Sequence, residues 1–85
     1  MTDFDLMILF AFRYVLGRMT YAPSTFVKYV SQKDVWNKLT EMCKKAIIKE
    51  IDEASERNAL GQKCDKEMWI QFREKLSEDI ELCNL

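Results

Sequence analysis

Histidine is absent from the 85 residues, and the chain holds two glycines, one proline and three cysteines. Each shortage narrows the chemistry. Without imidazole, a hydroxyl or thiol nucleophile lacks its usual base, and His-ligated metal sites are excluded. Two glycines cannot build a phosphate-cradling loop. Cys43, Cys64 and Cys83 show no C-x-x-C spacing, and their number is odd. Structural zinc takes four ligands, so the cysteines read as reduced thiols. Cys43 and Cys83 fall in apolar helical registers, as small buried hydrophobes do. No metal and no cofactor is expected.

Long apolar runs are also missing. The longest, Leu6 to Phe12, has seven residues, against about 20 for a membrane span. Asp3 and Asp5 precede it, with no Lys or Arg, the wrong flank for a secretory signal. The expectation is a cytoplasmic protein with no membrane partner. Excess charge of one sign is lacking too: 13 Lys and Arg stand against 14 Asp and Glu. Its distribution is less even. Residues 1–45 hold seven basic and four acidic side chains, and residues 46–85 hold six and ten. Either the two halves pack and partly neutralise each other, or a basic face meets an acidic partner.

What is present suits one small helical domain over residues 1–85. Apolar residues make up 48%, enough for a core, and charged residues make up 32%, enough for a solvated exterior. A helix is expected over about 3–17, with Thr2 and Asp5 as a capping box and Gly17 as its stop. Its apolar residues run all round the cylinder. Such a helix is buried on most sides, in the domain or in an oligomer, and a charge at Leu9 or Phe10 should unfold so small a domain. Pro23 marks a turn, followed by a short helix over about 24–31. Ser31 to Asp34 reads as a further cap leading into residues 35–39. Thr40 caps a helix over about 41–59 that Gly61 ends, and Asp65 caps a last one over about 66–82. There Trp69, Phe72, Leu76, Ile80 and Cys83 recur at 3, 4, 4 and 3, the clearest amphipathic pattern in the chain. No segment alternates with period two. The fold class is therefore all-α, a compact bundle of four to five helices around an apolar N-terminal helix.

Catalysis has little to work with. Asp52, Glu53 and Glu56, and Glu74, Glu78, Asp79 and Glu81, are interleaved with Lys49, Arg57, Arg73 and Lys75, as on a solvated helix exterior. No catalytic residue is assigned and no enzyme is expected. A nucleic-acid regulator would use Lys28, Lys33, Lys38, Lys44 and Lys45. The first three recur every five residues, which does not hold them on one helical face, and an Arg/Asn/Gln cluster for base edges is missing. Nucleic acid is the lesser expectation. The basic aromatic segment Arg13, Tyr14, Arg18 and Tyr21 says more. Arginine forks carboxylates, and Tyr and Arg are enriched at interface hot spots. Tyr14 and Arg18, four apart, can stack. The same corner also reads as a device that fixes the angle between helices.

The block Phe12-Arg13-Tyr14-Val15-Leu16-Gly17-Arg18-Met19-Thr20-Tyr21 resembles a group of short bacteriophage and prophage proteins. They share an R-Y-x-L-G-R-x-T-Y core, a downstream Trp (Trp36), a Leu-Thr cap (Leu39-Thr40), an Ile-Ile-x-x-Ile helix (Ile47 to Ile51) and a second Trp (Trp69). The resemblance carries over no catalytic residue. It implies a genome setting in which short proteins without enzyme motifs inhibit host defence, anti-CRISPR proteins being the best-known group. The implied partner is a host protein such as a Cas protein, met by Arg13, Tyr14, Arg18 and Tyr21, with the chain a monomer or homodimer. A phage structural or assembly role is the further alternative.

Overall fold

The computed structural model describes residues 1–16 and 23–83, the side chains of residues 82 and 83 excepted. Among them are five helices and no strand: α1 (Asp3–Val15), α2 (Pro23–Val30), α3 (Lys33–Trp36), α4 (Glu41–Glu56) and α5 (Lys63–Cys83). The chain forms the all-α bundle that its periodicity implies. No helix is long and apolar enough to cross a membrane among these residues.

Local chemistry sets most of the boundaries. The Thr2 hydroxyl accepts from the Asp5 N–H, and the Asp5 carboxylate accepts from the Thr2 N–H, which completes the capping box. Thr40 caps α4 through the Cys43 N–H. Pro23 opens α2, where its missing N–H leaves no helical bond unmade. Gly17, the expected stop of α1, lies outside the described residues. Gln32 rather than a Ser or Asp occupies the cap position of α3, and its side chain caps nothing. α4 ends at Glu56, three residues early. Asn58 turns left-handed at φ 56°, and the Ala59 N–H closes on the Ala54 carbonyl at 2.7 Å. Gly61, at φ 88°, belongs to the following turn, where a Cβ would approach the Asp65 carboxylate to 3.3 Å. Asp65 is not the cap of α5. The Lys66 N–H already bonds the Gln62 carbonyl at 2.9 Å, so winding starts at Lys63 and Asp65 sits in the first turn.

Phe12, fully buried, is the centre of the packing. Its ring meets Phe26 at 4.8 Å, Phe72 at 5.6 Å and Trp69 at 5.9 Å between centroids, and Trp36 stands edge-on to Phe72 at 5.8 Å. α1 and α4 lie side by side and parallel, since Asp5 meets Thr40 while Arg13 meets Glu50. α5 runs antiparallel to α4, since Arg73 meets Asp52 while Asp79 meets Lys44. The stripe of α5 is buried as its spacing requires: Trp69, Phe72, Leu76 and Ile80 all face the core. The side chain of Cys83 lies outside the described residues.

Of the two ways expected for burying α1 on most sides, in the domain or in an oligomer, the domain alone does not supply it. Ile8, Leu9, Phe12 and Leu16 are buried, but Leu6, Met7 and Phe10 are exposed. Among the described residues, α2, α4 and α5 together cover a single stripe of α1. Leu9 is a core position and Phe10 is not.

Candidate partner-binding face

The uncovered side of α1 follows from helical register. At about 100° per residue, Ile8, Leu9, Phe12 and Leu16 share one stripe, and Leu6, Met7, Phe10 and Tyr14 share the opposite one. The second stripe keeps much of its surface in water: Leu6 is 41% exposed, Met7 59%, Phe10 60% and Tyr14 57%. Single exposed apolar side chains are ordinary, whereas four abreast on one helix of a small domain form a patch of the kind that marks an interaction surface. The α4 neighbour extends it. Met42, Ala46 and Glu50 form an i, i+4, i+8 row on the flank facing α1, and Met42 is exposed. In the parallel alignment Met42 comes level with Leu6, and Ala46 comes level with Phe10. The short side chain of Ala46 makes the row shallow at its middle.

Arg13 closes one end of the face. Its Nε donates to Glu50 Oε1 at 2.7 Å, and its guanidinium lies 5.7 Å from the centre of the Phe10 ring. Half of the Arg13 side chain remains exposed, and its two terminal amino groups donate to no described residue. They are forked donors available to a carboxylate. Asp3, exposed and in no ion pair with a described residue, stands at the other end. Of the sequence-selected residues, the structure therefore brings Arg13 and Tyr14 to one surface. Arg18 and Tyr21, and with them the Tyr14–Arg18 stack, lie outside the described residues. Sequence reading missed Leu6, Met7 and Phe10. A signal for them was present: Asp3 and Tyr14 fall in the same register as Met7 and Phe10, with Arg13 on the flank beside Leu6, which marks that side as the one meeting water.

Asp5, Cys43 and Lys44 are engaged inside the fold. Asp5 is fully buried and accepts from the Thr2 N–H, the Thr40 N–H and the Thr40 hydroxyl, the last at 2.6 Å. Burial works to raise its pKa, but these donors outweigh it and hold the carboxyl below the usual aspartate value. Burial first, and the Asp5 charge second, push the Cys43 thiol up to about 12, so it stays protonated and unreactive. Lys44, one of the lysines considered for nucleic acid, is buried. Its ammonium donates to the Asp79 carboxylate and lies 4.9 Å from the centre of the Trp36 ring, which removes it from any surface for phosphates. Asp79 also accepts from Trp36 Nε1 at 3.2 Å. The Lys44 hydrogen bond, working against desolvation, holds the Asp79 carboxyl below its usual value. Arg13–Glu50 and Lys44–Asp79 each join the basic half of the chain to the acidic half, so part of the charge asymmetry is neutralised inside the fold. Among the described residues no group of three His, Cys, Asp or Glu side chains converges to hold a metal. The chain matches no family model, no curated protein and no solved structure.

Proposed function

We propose that the chain is a small non-enzymatic binding protein of phage type that occupies a functional surface of a host defence protein in the bacterial cytoplasm. The observation that carries this reading is the outer stripe of α1, where Leu6, Met7, Phe10 and Tyr14 keep much of their surface exposed beside Arg13, whose two terminal amino groups donate to no described residue. Large flat apolar side chains next to an arginine supply what an interface hot spot needs: buried area, and one charge-assisted hydrogen bond that fixes register. Arg18 and Tyr21 follow Arg13 and Tyr14 in sequence and extend the contact. The resemblance to phage proteins with the R-Y-x-L-G-R-x-T-Y core supports a defence-inhibiting role, and a Cas protein is the proposed target. Inhibition then works by occlusion, since blocking a surface requires a stable fold and an adhesive face and no bond-making group.

The test is protection in cells. Bacteria carrying one of a panel of CRISPR–Cas systems are challenged with a targeted phage, with and without the chain. Plating efficiency should rise with the wild-type chain against at least one system. Phe10→Glu and Arg18→Glu should each abolish the rise while helicity and melting temperature stay unchanged. No protection across the panel removes the anti-CRISPR reading. Undiminished protection by both folded variants removes the assignment of the face, and unfolding by Arg18→Glu makes that corner structural.

A further inference from the structure

The outer face of α1 is complementary to itself when reversed. Asp3, Met7, Phe10 and Tyr14 follow the 4-3-4 spacing of a coiled-coil seam, with Leu6 and Arg13 along the same flank. The apolar residues occupy the middle. Each end carries one charge with capacity left among the described residues: Asp3, in the first turn of α1 and in no ion pair with them, and Arg13, whose terminal amino groups donate to none of them. They are ten residues apart, or about 15 Å along the helix axis, too far to meet within one chain. A parallel copy would set Asp3 against Asp3 and Arg13 against Arg13. An antiparallel copy about a two-fold axis sets Met7 opposite the second copy's Phe10, and brings each Asp3 to the level of the second copy's Tyr14 and Arg13. Thioether and ring make a favourable contact in the centre, and a carboxylate meets the open side of a guanidinium at both ends.

From this charge complementarity we infer that, in the free protein, a second copy of the chain covers the face, α1 against α1, antiparallel and two-fold symmetric. The interface is isologous, so it closes at two copies and builds no filament. The inference rests on reading the stripe as a binding surface. It makes the dimer a competitor of the host partner, which would displace one copy to reach the other.

Sedimentation equilibrium on the full chain tests it without any host protein. The mass should rise from 10.1 kDa on dilution to twice that value at high concentration. Asp3→Arg sets arginine against arginine at both ends, and Arg13→Glu sets glutamate against aspartate. Each variant alone should weaken dimerisation by about tenfold or more, because like charges face each other across the seam. An equimolar mixture of the two restores an opposite-charge pair at both ends and should return to the double mass as a heterodimer. If Arg13→Glu loses helicity beside Glu50, adding Glu50→Arg in the same chain restores the α1–α4 pair and the mixture is repeated. A wild-type mass that stays at 10.1 kDa at every concentration overturns the inference. So does a dimer indifferent to both charge reversals, or a mixture that stays monomeric. None of these results touches the protection assay, so the dimer and the host-binding reading fail separately.

Discussion

One carboxylate, Asp5, begins two helices. It closes the capping box of α1 through the Thr2 N–H, and it takes the hydroxyl and N–H of Thr40, the cap residue of α4. The positive ends of both helices thus share one buried negative charge. Asp5→Ala leaves the Thr40 donors and one end of α1 unanswered, and should lower unfolding stability by about 3 kcal/mol, read from urea midpoints at pH 7. The same charge makes stability depend on acid. The folded pKa lies below the ordinary value of 3.8, so the unfolded chain takes the proton first. The contribution is complete well above pH 4, and it is lost as the pH falls through the folded value. Asp79 acts with the same sign. Wild-type stability should therefore drop steeply below about pH 4, and Asp5→Asn should show a shallower drop that Asp79 still sustains. An Asp5→Asn chain with the wild-type acid slope would place the linkage elsewhere.

α1 shows what a pattern of apolar residues determines and what it leaves open. Leu9 and Phe10 are neighbours of similar character in the longest apolar run, yet Leu9 is buried and Phe10 exposed. Leu9→Glu puts a charge in the core and should leave no cooperative melting transition. Phe10→Glu should change the stability of the monomer by no more than about 0.5 kcal/mol, measured by the same thermal scan on protein dilute enough to be monomeric, and a collapse of Phe10→Glu would mean that its ring is part of the packing. The contrast explains how legible the chain was. α5 carries one long apolar stripe and only an isolated exposed Ile70 away from it, so Trp69, Phe72, Leu76 and Ile80 could be placed in the core from spacing alone. α1 carries two stripes, and the arrangement of α2, α4 and α5 decides which is covered. Thr2 and Thr40 announced two helix starts, because their hydroxyls satisfy N–H groups within three residues. Asp65 misled, since an acidic residue in the first turn serves the helix dipole as well as one at the cap does. Lys44 stands among the lysines of the nucleic-acid alternative because nothing near it in sequence reveals Asp79, which arrives 35 residues later on an antiparallel neighbour. Of the basic aromatic segment, Arg13 and Tyr14 were found on the uncovered face.

At the scale of the whole molecule, α4 is joined to α1 at one flank and to α5 at the other, and the polar links between elements lie near the ends of the shared lengths. Asp5–Thr40 and Arg13–Glu50 bracket the α1–α4 seam, and Asp79–Lys44 and Arg73–Asp52 bracket the α4–α5 seam. Between them the apolar residues of α4, Cys43, Ile47, Ile51 and Ala54, are almost wholly buried. A seam pinned at both ends should open as a unit, and the cysteines can report it. Cys64 is exposed at the start of α5, while Cys43 is buried under α1 with its Sγ 3.6 Å from the Asp5 carbonyl. In a Cys83→Ser chain, a disulfide reagent at pH 8 should modify Cys64 at once. It should modify Cys43 slower by about a thousandfold or more, the factor that a small domain's stability imposes on a thiol released only by unfolding. If opening is concerted, Asp5→Ala should speed Cys43 labelling by the same factor by which it lowers the folding constant, on the order of a hundredfold for about 3 kcal/mol. A Cys43 rate unmoved by Asp5→Ala would show instead that the thiol is reached by a local fluctuation that leaves the Asp5–Thr40 bonds intact.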